Sequence, residues 1–376
     1  MDNNHTWENE ILYSDMSEYP PYEENINRAR RAVSRNGINL FVFLLVANIT
    51  AMVLISIIEV VFPLFNELLP DAAITEKLNK IHMLPQFNSI SIGIVNIVAM
   101  YLIAFPIFMV LQIGFKRRKY KKDGMNASEF FSLIPISLLL MQIGDYIGTT
   151  LNSFISTIFD FNISNATIDT FENMPLWLSA IMVCVFAPIV EEFLFRRTVI
   201  GTLGRYGNIF AIVISAVAFG LFHGNLYQFF YSFLVGLILG YIFIKSGSWW
   251  LCVLMHAVMN FLGGVLPMFV EQITARYSLL GKLIEEGKEV NRIEMSLEKT
   301  AIIIYGVFSL VLFILGLVLA VIYIVKKRYK LENSPEIAIP KKSVCKVVYS
   351  NVGTILFLTF CTFSMALSLF VSLFTE

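Results

Sequence analysis

Charge and histidine are both scarce in this chain. Of 376 residues only 15% are Asp, Glu, Lys or Arg, and only four are histidine. Acidic and basic residues balance at 28 each, so no excess of charge points to a nucleic-acid partner. The four cysteines, Cys184, Cys252, Cys345 and Cys361, form no Cys-x-x-Cys pair. Three lie in apolar stretches and are expected to pack there rather than form disulfides or bind metal. No His-Glu-x-x-His zinc motif is present. A Gly-x-Ser-Gly serine motif is also missing, and Asp145 has no second intramembrane aspartate to partner it. Those absences argue against serine and aspartyl intramembrane chemistry and leave Asp145 as a hydrogen-bonding group of a helix bundle. The polar first 37 residues hold no apolar stretch of the kind a cleavable signal peptide needs. No internal repeat stands out.

Apolar residues are what the chain has in abundance. They make up 57% of it, and the mean hydropathy is +0.70. Apolar runs of about 20 residues recur along the length, which predicts an all-α, polytopic transmembrane bundle of eight or nine spans. The nine candidates are 38–63, 89–115, 129–158, 175–196, 208–223, 226–244, 248–266, 300–325 and 349–374. A short interfacial helix is expected within 64–88, and long polar loops at 267–299 and 326–348. The chain divides into a polar segment 1–37, N-terminal spans 38–128, a compact core 129–266 and C-terminal spans 267–376. With the N-terminus inside, 21 of the 28 Lys and Arg residues fall in cytoplasmic segments and 7 outside. The blocks Lys116-Arg117-Arg118-Lys119 and Lys326-Lys327-Arg328 dominate that count and serve as anchors beside anionic lipid.

Ionisable residues inside apolar spans are costly, and here they cluster. The stretch Ala187-Pro188-Ile189-Val190-Glu191-Glu192-Phe193-Leu194-Phe195-Arg196 follows an apolar run from Met174. Glu192 and Arg196 stand four apart and share a helical face, whereas Glu191 points about 100° away. Glu192 can therefore be neutralised locally while Glu191 faces a cavity and is available as a general base. His223 follows Phe219 by four residues in one span, and His256 precedes Asn260 by four in another. The other two histidines, His5 and His82, lie in polar stretches. Each group alone has a structural explanation: a helix end, a buried imidazole, an interhelical amide. Together, on neighbouring spans, two carboxylates and two imidazoles are the ingredients of a hydrolytic site. Gly236 and Gly240 form a small-xxx-small pair expected to serve helix packing.

Glu-Glu-x-x-x-Arg, Phe-x-x-x-His and His-x-x-x-Asn, in that order on successive spans, resemble the CPBP family. Its members are CAAX prenyl proteases of the Ras-converting type and bacteriocin-processing Abi membrane proteins. The resemblance covers about 130–266, with one departure, Arg197 where many members have glycine. It implies intramembrane peptide-bond hydrolysis of a membrane-associated polypeptide, such as a lipidated C-terminus or a small secreted precursor. Glu191 and His223 would activate water, His256 and Asn260 would serve the carbonyl oxygen, and Glu192 and Arg196 would position the others. A zinc ion held by Glu191, His223 and His256 and a metal-free Glu/His mechanism are both compatible with these residues. The expected location is a bacterial cell membrane with the N-terminus cytoplasmic. The rivals are a non-enzymatic immunity or partner-binding membrane protein and a proton-coupled transporter. The latter predicts repeats with broken helices that the sequence lacks.

The spans as drawn hold a conflict. Glu191 sits near the inner end of 175–196 and His223 near the outer end of 208–223, about 20 Å apart at 1.5 Å per residue. A common site requires the first span to run on to about 203 and the turn at 223–226 to lie inside the membrane.

Overall fold

The computed structural model describes residues 22–68, 85–121, 124–160, 174–286, 292–331 and 339–372, with a few isolated residues between them. The expected interfacial helix at 64–88 falls largely outside the described residues. Eight helices are long and apolar enough to cross a membrane, and no strand occurs among the described residues. The chain is a multi-pass, all-α membrane protein. We number its helices α1 (Tyr22–Leu68), α2 (85–111), α3 (Ala127–Phe159), α4 (Leu176–Tyr206), α5 (Asn208–Phe222), α6 (Leu226–Ser246), α7 (Trp249–Glu285), α8 (Arg292–Val325), α9 (Val344–Tyr349) and α10 (Val352–Ser372).

Three boundaries differ from the sequence expectation. Helix α1 begins at Tyr22, so much of the polar 1–37 stretch is already helical. Residues 267–285 are not a loop but the second half of α7, which runs for 37 residues. The Gly263-Gly264 and Pro267 punctuation reads as a helix end, yet the chain passes through it. Helix α4 continues to Tyr206, as a shared site requires.

Prolines explain much of the local winding. Four stretches are π-wound: 97–104, 182–186, 193–200 and 261–265. Three of them end two residues before a proline, Pro106, Pro188 or Pro267. A proline inside a helix lacks an N–H and its ring crowds the preceding turn, which widens to relieve the clash. The residue before each proline then donates five back, as Ala187 N–H does to the Met182 carbonyl.

Packing sets the depth of the later helices. Gly144 and Gly148 of α3 lie directly on the α6 backbone at Tyr231 and at Leu226 and Tyr227, where any side chain would collide. Helix α3 therefore runs about three turns past the point where α6 begins. Helix α5 has only 15 residues, about 22 Å, and cannot cross a 30 Å core. Helix α6, at 21 residues or about 31 Å, is long enough, so the turn joining them lies at the end of this hairpin away from Lys245. Gly224 takes φ +66 there, and the Asn225 side chain accepts the Gln228 N–H at 2.9 Å, capping α6. Gly236 packs on Ala216 and Phe219 and Gly240 on Ile200 and Ile212, so the small-xxx-small pair does serve helix packing.

The interior is built from Phe43, Phe108, Phe195, Phe219, Leu194, Ile200, Leu203 and Leu239, all nearly inaccessible. Helix α8 instead exposes Ile303, Leu310, Val311, Ile314 and Val318, a face suited to lipid. At one end of the bundle the loops interlock. Arg118 N–H donates to the Gly201 carbonyl, Ile337 N–H to the Arg205 carbonyl, and Lys245 pairs with Glu129. The basic segments around 118, 205, 245 and 337 thus share one side of the bundle.

Candidate active site

Glu191 lies sixteen residues before Gly207 and His223 sixteen after it. Because α4 and α5 fold back on each other at Gly207, both are carried to comparable depth. Lateral contacts hold that register: Ser215 Oγ donates to the Phe195 carbonyl at 3.1 Å, and the Phe195 ring packs edge-on against Phe219 and Phe222. The conflict between the two motif positions disappears once α4 runs on to Tyr206.

The centre of the site is a string of three side chains. Glu192, fully buried, meets Arg196 through Oε2 at 3.0 Å and His256 Nδ1 through Oε1 at 2.8 Å. An ionised carboxylate only accepts, so Nδ1 carries the proton and donates it to Glu192. His256 Nε2 is then turned to Glu191, whose Oε2 lies 3.8 Å away. That gap exceeds a hydrogen bond and leaves both atoms able to share a third partner. The expected ion pair of Glu192 with Arg196 is present; the bond from Glu192 to His256 was not anticipated. Spacing along one helix could predict the first, but not a contact between helices α4 and α7.

Arg196 is fully buried, and its guanidinium stacks over the Phe219 ring at 4.5 Å. It reaches the Gly236 carbonyl at 3.5 Å. The π-wound turn 193–200 that carries it has no following proline, unlike the other three. Such turns recur at functional sites. Arg197, the departure from the family pattern, is exposed and lies over Phe193 and Trp249 at 5.0 and 5.5 Å.

Phe219 joins the two imidazoles. His223 and His256 both pack edge-on against its ring, with centroids at 5.1 and 5.7 Å. His223 Nδ1–H donates to the Phe219 carbonyl at 2.9 Å, so its Nε2 keeps a lone pair. Ser232 Oγ, on α6, approaches that nitrogen at 3.4 Å. Tyr231 faces the same imidazole, with ring centroids 6.5 Å apart. Neither Ser232 nor Tyr231 stands out in the sequence, because both residue types are ordinary in an apolar span.

Asn260 is engaged elsewhere. Its Nδ2 donates to the Val183 carbonyl at 2.6 Å. In the π-wound turn before Pro188, the Val183 carbonyl is the group that residue 188 would satisfy if it had an N–H. Asn260 supplies the missing donor. Asp145 is exposed on α3 and makes no hydrogen bond among the described residues, contrary to expectation. All four cysteines are unpaired; Cys252 and Cys361 are buried, Cys184 is half-buried and Cys345 is exposed.

Glu191, His223 and His256 are the donors proposed for zinc. Among the described residues no group of three or more His, Cys, Asp or Glu side chains is arranged to hold a metal ion. Each imidazole spends Nδ1 on a protein acceptor and keeps Nε2 available, and Glu191 approaches His256 Nε2 at 3.8 Å, but no third ligand joins that pair among the described residues. As placed, the residues do not fit a three-ligand centre.

Comparison with known proteins adds a family to this geometry. Residues 173–262 match the Rce1-like family of type II CAAX prenyl endopeptidases. The matched segment spans all three motifs, and the resemblance they suggested is thereby shown. The chain is also similar to the "Putative membrane peptidase YdiL" of Bacillus subtilis (strain 168), at 29% identity over 98 residues. That alignment covers 26% of this chain and 39% of the relative, so the chain spans about two fifths of the length of the relative it matches. No solved structure matches it.

Proposed function

We propose that this protein is an intramembrane endopeptidase in which Glu191 is the general base acting on water. The observation that carries this reading is the string Glu192–His256–Glu191 at membrane depth. One carboxylate fixes the imidazole and the other is left facing it. Glu191, Glu192, Arg196 and His256 sum to zero charge when one proton is added to His256 Nε2, the donor used in the step below. A water between Glu191 and His223 Nε2 gives one proton to the Glu191 carboxylate as its oxygen attacks the scissile carbonyl carbon. The carbonyl electron pair moves onto oxygen, and His256 Nε2–H donates to that oxyanion. Collapse breaks the C–N bond, and the leaving amine takes the proton from Glu191. His223 orients the water through its lone pair. Asn260 acts by holding the Pro188 turn that aims Glu191, rather than by touching the oxyanion.

The family match supports a membrane-associated polypeptide as the substrate, either a prenylated CAAX-type C-terminus or a small secreted precursor. The N-terminus lies in the cytoplasm of a bacterial cell, with the interlocked basic loops on the same side. The test is cleavage of prenylated CAAX peptides and of precursor peptides in proteoliposomes, with products mapped by mass spectrometry. Wild type cleaves and Glu191→Gln does not. Full activity in Glu191→Gln would overturn the mechanism. Partner capture without cleavage would favour a binding protein.

A further inference from the structure

Away from the site, a cavity of about 450 Å³ opens where the basic loops meet. Arg28, Arg31 and Arg35 of α1, Lys116 after α2 and Arg205 at the end of α4 line it. No acidic residue is among its lining residues. Among the described residues two carboxylates pair with these cations, and both are engaged: Glu24 with Arg28, and Glu336 with Arg205 at 2.8 Å. Glu336 also faces Arg118 at 3.9 Å. Among the described residues, five cations against two carboxylates leave a positive site. The cavity is built rather than incidental. Asn36 Nδ2 donates to Thr202 Oγ1 at 2.8 Å, tying α1 to α4 beneath it, and the Arg35 guanidinium lies 4.0 Å over the Phe115 ring. Ala32, Phe115, Tyr206 and Ile337 add an apolar wall. Its level is also fixed, because the apolar part of α1 begins just after Arg35 and the α4 span ends at Tyr206. The cavity thus sits where headgroups end and acyl chains begin.

We propose that this cavity binds a phosphate-bearing anion, the headgroup of an anionic phospholipid with its glycerol on the apolar wall. Guanidinium groups fit phosphate oxygens in paired geometry, and a lipid headgroup can use that wall as well, which inorganic phosphate cannot. The site is independent of the proteolytic reading.

The full chain in neutral detergent is titrated with phosphatidylglycerol, phosphatidylcholine and inorganic phosphate, and binding is read by native mass spectrometry and by the shift in Tm. Phosphatidylglycerol is expected to bind and raise Tm, and phosphatidylcholine to do neither. Arg31→Gln/Arg35→Gln is expected to weaken binding about thirtyfold, the effect of two near-surface charges. Lys116→Gln provides a second, milder test of the same lining. Lys326→Gln/Lys327→Gln, on the same side but outside the cavity, should bind as wild type does. Protection by inorganic phosphate that the cavity variants lose would assign a free phosphate as the ligand. Equal binding of phosphatidylglycerol by wild type and both cavity variants would overturn the proposal.

Discussion

The Nδ1–H of His256 ends on Glu192, 2.8 Å away, and Glu191 faces the opposite side of the same ring. Two adjacent glutamates thereby take different duties. Glu192 closes a buried ion pair with Arg196 and fixes the imidazole, while Glu191 keeps an unshared carboxylate oxygen.

That division predicts opposite responses to substitution. Arg196→Ala leaves Glu192 buried without its cation and should destabilise the protein by about 3–5 kcal/mol, lowering folded yield. Glu191→Ala should leave the unfolding temperature in detergent close to wild type while abolishing cleavage. Equal loss of folded yield in the two variants would place Glu191 in the scaffold.

Asn260 and Pro188 should be coupled. Asn260→Ala leaves the Val183 carbonyl unpaired and should cost about 1–3 kcal/mol. Pro188→Ala restores a backbone N–H at the position that Asn260 replaces. The double variant should therefore be more stable than the sum of the single effects by about 0.5–3 kcal/mol. Strict additivity in a denaturant-unfolding cycle would show that the bond carries no stability.

A metal requirement is directly measurable. Among the described residues no third ligand joins Glu191 and His256 Nε2, so cleavage should survive chelators and purified protein should hold well under one zinc per chain. Activity lost to a chelator and restored by zinc would instead recast Glu191, His223 and His256 as its ligands.

Cys345 is a built-in reporter of orientation. It is exposed and lies just after the basic stretch 341–342, on the side where the loops interlock. A membrane-impermeant maleimide should label it in opened vesicles but not in intact cells. Labelling of intact cells, lost in Cys345→Ser, would reverse the topology.

What the sequence made legible followed from cost. Glu191, Glu192, Arg196, His223 and His256 were conspicuous because charge and imidazole are expensive in an apolar span, and the bundle class followed from apolar runs. The Glu192–Arg196 pair was legible because it is local. The bond from Glu192 to His256, the approach of Ser232 to His223 and the use of Asn260 by Val183 depend on which helices touch, and spacing along one helix does not encode that. The end of α7 was misread because Gly263, Gly264 and Pro267 look like a terminus. A widened turn absorbs the proline, and the helix continues.

The turn between α5 and α6 also bears on how water would reach the proposed base. Each hydrolysis would consume a water molecule, and a full hydrocarbon layer is a poor conduit for it. The polar groups of that turn, with the Asn225 amide on the His223 carbonyl and on Gln228, offer water footholds that an unbroken apolar helix would not. The turn is in this sense a supply line.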